Sequence, residues 1–211
     1  MPDRAVLFVD GNNWYHAIRE AGVEDRGRLD YAVISRKLAG PREWIGTRYY
    51  IGRVPQQGET RLYAEQRRFL AQLAASDPRI SAHLGRLEPR LIDNPAAREL
   101  QQYLTSLQVR LDSQVFHELL QIAQRHRRTP AMVEKAVDVM LAVDMVVMAE
   151  RDAYDSAYLL SADGDFTPAI EAVRSHGTKV YVASTAHGAQ LARAASTFIR
   201  LGRERFTDCY R

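Results

Sequence analysis

Two short, nearly unbroken apolar runs, each stopped by aspartate, constrain this chain more than any other feature. The first is AVLFV at residues 5–9, closed by Asp10 in the turn-rich DGNN; the second is SAYLLS at 156–161, closed by Asp163 and Asp165 in ADGDF. A run of five or six residues without polar alternation fits a strand buried on both faces, and such strands belong to parallel sheets covered by helices. An amphipathic stretch follows each run, WYHAIREAG after the first and TPAIEAVRSHG after the second, the latter closing on Gly177 at a C-cap position.

The same alternation is legible through most of the chain. WIGTRYYI at 44–51 reads as a strand and GRVPQQGET at 52–60 as the loop that ends it. TRLYAEQRRFLAQLAA at 60–75 places Leu62, Tyr63, Phe69, Leu70 and Leu73 at helical spacing. A short third strand is expected around His83 to Leu87, two helices (PAARELQQYLTSL and DSQVFHELLQIAQRHRR) around a short extended QVRL, and a long, largely buried helix over Val133 to Glu150. KVYVA at 179–183 reads as a further strand, and GAQLARAASTFIRL as a helix followed by a short extended stretch. Strands alternating with helices predict an α/β fold, a parallel sheet with helices on both faces. At 211 residues one domain is expected, since a second independent core would be cramped.

Several classes of function fall away. Cys209 is the single cysteine, so neither an intrachain disulfide framework nor a cysteine-based zinc site can form. The apolar stretch near the N-terminus is too short for a signal peptide, and no window approaches the roughly 18 apolar residues of a spanning helix. A soluble, cytoplasmic protein without membrane partners is the expectation. No Gly-rich phosphate loop is present, so kinase and dehydrogenase readings are set aside. His16, His83, His117, His126, His176 and His187 show no metal-ligand spacing, and Ser161 and Ser184 lack a nucleophile elbow. These eight are read as structural or surface residues. Only Lys37, Lys135 and Lys179 among the 29 basic residues are lysine, and the planar fork of arginine suits phosphate. The basic end QRHRR either balances a helix dipole or contacts RNA.

The acids carry the chemistry. Asp10 follows the first run, Asp163 and Asp165 the second, and ligands of open α/β sheets bind beyond the carboxyl ends of strands where the chain order reverses. The long helix near Asp138 is placed to bring a fourth carboxylate to the same crevice. Asp144, six residues on, lies about 240° around the helix and cannot share its face. Carboxylates that converge without basic partners repel one another, and an oxygen-only donor set selects Mg²⁺ or Mn²⁺ over zinc. Such a centre suits phosphodiester hydrolysis. Asn12 and Asn13 could touch metal-bound water or phosphate, or only form the turn. Taken singly, Asp10 reads equally as a turn residue, Asp138 as a first-turn helix acid and Asp165 as an N-cap.

Three stretches together, VLFVDGNNWYHAIREAG, the run from EKAVDVMLAVD through SADGDFTPAIEAVRSHGTKVYVAS, and LARAASTFIRL, resemble the NYN domain family, PIN-like ribonucleases that include the LabA-like proteins. The resemblance implies a Rossmann-like PIN fold and a Mg²⁺- or Mn²⁺-dependent endoribonuclease acting on single-stranded RNA. Its acidic site falls on Asp10, Asp138, Asp163 and Asp165, as metal-binding and catalytic residues, with Asp144 at a further acid position better suited to a structural role. The chain departs from the pattern in two places. The segment from about 91 to 129, read as a helical insertion, is longer than the linker expected there and could serve as a lid, a substrate platform or a homodimer surface. Arg200 stands where an acid is usual. A non-catalytic RNA-binding or protein-docking module that keeps the fold is the alternative, and a phosphatase is disfavoured because Asn12 stands where a second acid would accompany a nucleophile.

Overall fold

The computed structural model describes residues 2–56 and 60–210. Gln57, Gly58 and Glu59 of the predicted loop lie outside the described residues. In chain order the elements are β1 (Arg4–Asp10), α1 (Gly11–Glu20), α2 (Tyr31–Ala39), β2 (Glu43–Arg53), α3 (Thr60–Ser76), β3 (Ile80–Asp93), α4 (Pro95–Ser106) and α5 (Ser113–Arg125), then β4 (Arg128–Lys135), α6 (Val137–Glu150), β5 (Ser156–Leu160), α7 (Thr167–Ser175), β6 (Lys179–Ser184), α8 (Ala189–Ala194) and β7 (Thr197–Arg200). They form two compact units, one running up to Arg86 and resuming at Glu134, the other Leu87–Val133.

The strand order of the sheet is β4-β3-β2-β1-β5-β6-β7. β1 lies at its middle, parallel to β2 on one side and to β5 on the other, and the pairs β2–β3, β5–β6 and β6–β7 are parallel too. Both faces are covered. Ala5, Leu7 and Val9 of β1 pack with Trp14 and Ile18 of α1, Ile34 of α2 and Leu73 of α3. The alternate residues Val6 and Phe8 pack with Leu141 and Met145 of α6, Ile170 of α7 and Leu191 of α8. This double burial is why AVLFV carries no polar alternation. The chain moves outward from β1 through β2 and β3 in one direction and from β5 through β6 and β7 in the other, so the order reverses between β1 and β5. Crevices form at such reversals.

In the second unit α4 and α5 bury Leu104, Phe116 and Ala123 against each other, with Leu111 and Leu120 partly covered. Asn94 caps α4 through Ala97 N–H, and Asp112 caps α5 through Gln114 and Val115 N–H. Between them QVRL is a hydrogen-bonded turn and not an extended stretch, because Leu107 N–H donates to Leu104 O and Arg110 N–H to Leu107 O.

Three further differences from the sequence reading are physical in origin. Tyr31–Ala39, unassigned by pattern, is helical, started by Asp30, whose carboxylate accepts from Ala32 and Val33 N–H. Val133–Lys135 belongs to β4 and not to the long helix, which starts at Val137 after Ala136 turns into the left-handed region at φ 69°. Glu, Lys and Ala are strong helix formers, and sheet pairing overrides their preference here. Finally, α6 is apolar all round but not largely buried: Val139 is 66% and Val143 52% exposed, since a helix laid on one sheet face buries one side. Among the described residues no helix is long and apolar enough to cross a membrane.

Candidate functional site

Strand β1 ends at Asp10, which is also the N-cap of α1. Its Oδ1 accepts from Asn13 N–H at 3.2 Å, so the turn residues expected of DGNN are already the first turn of the helix. Gly11 permits this tight passage. A β-carbon there would stand 2.5 Å from the Tyr49 ring and 2.6 Å from the Tyr50 carbonyl oxygen. The second Asp10 oxygen accepts from Ser161 Oγ at 2.9 Å, as the register Val9 to Leu160 requires of the next pair along. Asp10 is 3% exposed. Burial pushes its carboxyl up to about 6, against the two hydrogen bonds, and the charges of Asp138 and Asp163 add to the rise.

Ser161 also accepts from Asp163 N–H at 3.1 Å, so one fully buried hydroxyl ties the two acidic loops together. Asn13 does so as well, its Oδ1 accepting from Ala162 N–H at 3.0 Å. The Asp163 carboxylate accepts from Asp165 N–H at 3.0 Å and starts the short 3-10 turn Gly164–Phe166 that leads into α7. Asp163 therefore does the capping, and Asp165 is exposed. Asn12 is exposed, and among the described residues its side chain forms no hydrogen bond to the other loop.

Asp138 sits in the first turn of α6. Its carboxyl is raised by burial first and then by the charges of Asp163 and Asp165. A fifth acid joins them. Glu134 accepts a short hydrogen bond from Gly52 N–H, and burial, with the charges of Asp10 and Asp138, pushes it up to about 7. The sequence held one signal for it, an acid four residues before Asp138, a spacing that shares one face of a helix, although Glu134 stands on β4 and not on the helix. Asp144 stands apart. Its Oδ2 accepts from Arg48 Nη2 and from Tyr50 Oη, both at 2.7 Å, and the Tyr50 ring stacks on His83 at 4.8 Å. The guanidinium and phenol hold its carboxyl below the ordinary value despite partial burial.

Asp10, Glu134, Asp138, Asp163 and Asp165 are thus linked in one negative field, with Asp10 and Asp163 beyond the ends of β1 and β5, and none of the five forms an ion pair among the described residues. An oxygen-only anionic donor set of this kind fits a hard divalent cation. Among the described residues no group of three or more His, Cys, Asp or Glu gathers closely enough to hold a metal ion by protein ligands alone. Magnesium needs fewer, since it takes one or two carboxylates and completes its shell with water and substrate phosphate.

The NYN domain model matches residues 4–202, which includes all five acids. No curated protein matches the chain. A solved structure of a protein of unknown function from Vibrio parahaemolyticus is similar at a TM-score of 0.58 and 16% identity, over 99% of this chain and 96% of that one. At that identity the likeness speaks for the fold alone.

Proposed function

The chain belongs to the NYN domain family, a PIN-like nuclease family, and we propose from that premise that it is a metal-dependent endoribonuclease cleaving single-stranded RNA. The observation that supports this most is that Asp10, Glu134 and Asp138 are all raised, first by burial and then by neighbouring carboxylates: Asp138 and Asp163 act on Asp10, Asp10 and Asp138 on Glu134, and Asp163 and Asp165 on Asp138. Such an arrangement is stable when something positive enters it.

In this reading Mg²⁺ or Mn²⁺ would sit among Asp10, Asp138, Asp163 and Asp165, with one or two of these carboxylates bound to it directly and the others, with Glu134, reaching it through water. The ion supplies Lewis-acid neutralisation of the phosphate and an acidified water. The protein's own part is positional. Ser161 and the Asn13 N–H fix both Asp10 oxygens, so the buried carboxylate presents its remaining lone pairs in one orientation. Asp163 is held by the start of the turn that follows it, and the exposed Asp165 is free to hold or orient the attacking water.

A non-catalytic RNA-binding module is the competing reading, and the spacing of the acids, with no three close enough to chelate an ion, favours it. One experiment separates the two. Labelled single-stranded RNA is incubated with the protein and Mn²⁺ beside an Asp163→Asn variant. Cleavage by the native chain alone supports the nuclease, whereas binding without cleavage under any divalent ion assigns the module.

A further inference from the structure

A recess of about 530 Å³ opens beside the acid cluster, lined by Asp165, Pro168, Glu171, Gln190, Arg193 and Ala194 among others. Its size suits one nucleotide rather than a strand. Asp165 belongs to both places, since it lines this recess while its charge raises Asp138. Whatever occupies the recess therefore lies next to the proposed cleavage centre.

The lining has an unusual charge economy. Glu171, Gln190 and Arg193 are all exposed, and none of the three has a hydrogen-bond or ion-pair partner among the described residues. An acid and a guanidinium that line one recess without pairing leave their full donor and acceptor capacity for a third party. Gln190 is brought in by the absence of a side chain at Gly164, where a β-carbon would meet Gln190 Oε1 at 1.8 Å. Pro168 and Ala194 supply apolar surface between the polar groups, as the flat face of a base requires.

We propose that this recess is a guanine subsite for a nucleotide of the RNA adjoining the scissile phosphodiester, a step that rests on the nuclease reading above. Guanine carries neighbouring donors, N1–H and the 2-amino group, that match both oxygens of Glu171, and neighbouring acceptors, O6 and N7, that match the fork of Arg193. Gln190, with both a donor and an acceptor, completes either edge. Adenine and uracil lack both of these adjacent pairs and cytosine lacks the donor pair, so each leaves a charged side chain half-used.

The test is equilibrium binding of GMP, IMP, AMP, CMP and UMP to the full chain at low salt, followed by cleavage-site mapping on single-stranded RNA of mixed sequence. GMP is expected to bind at least about tenfold more tightly than AMP, CMP or UMP, the discrimination of one bidentate contact. IMP, which keeps O6 and N7 but lacks the 2-amino group, binds between GMP and the other three, and Glu171→Gln weakens the preference while the melting curve stays in place. Equal binding of the four nucleotides, no binding of GMP, or a preference that survives both Glu171→Gln and Arg193→Ala overturns the proposal. The two readings fail separately. RNA cut without a guanine at a fixed position removes the subsite and leaves the nuclease, whereas guanine preference in binding with no cleavage under Mg²⁺ or Mn²⁺ removes the nuclease and leaves the subsite.

Discussion

Asp10→Asn should make the protein more stable at pH 8 in the absence of divalent ions while depriving it of its response to them. Raising a carboxyl from 3.8 to about 6 costs about 3 kcal/mol once the group is ionised, at about 1.4 kcal/mol for each tenfold change in proton affinity. Because the folded value is the higher one, the unfolded chain gives up its proton first. The stability this group contributes is complete below pH 3.8 and is lost as pH rises through 6. Asparagine carries no charge at any of these values. It keeps an oxygen for Asn13 N–H and offers an amide to Ser161 Oγ, which can accept from it, so few hydrogen bonds are forfeited. The advantage of the variant is therefore near zero at pH 4 and grows to at most about 3 kcal/mol at pH 8, or about 6–12 °C in Tm for a chain of this size. Thermal melts in EDTA at pH 4, 6 and 8 read this directly. With Mn²⁺ at about 100 times its Kd the native chain gains about 2.7 kcal/mol and the variant gains little. A variant that melts lower by the same amount at every pH would refute the reasoning, because it would mean that Asp10 matters as a hydrogen-bonding cap and not as a buried charge.

Other expectations follow from the same geometry. Asp138→Asn and Asp163→Asn should each lower RNA cleavage at least about 100-fold, the several kcal/mol that charge neutralisation by the ion supplies, with circular dichroism unchanged. Asp144→Ala strips Arg48 and Tyr50 of their shared partner and should cost about 1–3 kcal/mol in denaturant melts, while cleavage per folded molecule stays near native. Gly11→Ala drives a methyl into the Tyr49 ring and the Tyr50 carbonyl, and overpacking of this kind costs about 1–3 kcal/mol, readable as a lowered Tm. Ser161→Ala removes a hydrogen bond that favours ionised Asp10, so the Asp10 carboxyl should titrate above 6 by carbon-13 NMR; an unchanged midpoint would show that burial alone sets it.

The sequence determined the alternation of buried strands and covering helices, because a strand buried on both faces cannot hide its apolar run and Asp10 and Asp163 mark where such strands stop. It also separated Asp138 from Asp144, since helical phase alone puts them on different sides. What it could not decide was adjacency. That β1 neighbours β5, so that Ser161 bonds Asp10, depends on pairing between segments some 150 residues apart, and nothing local encodes it. Glu134 was not legible as part of the site because its neighbours favour helix while sheet pairing holds it extended on β4, where it meets Gly52 N–H, an override that only tertiary contacts impose. The elevation of Asp10 and Glu134 belongs to the structure as well: a carboxylate's affinity for its proton is set by the water it has lost and the charges it faces, and both are properties of the folded chain.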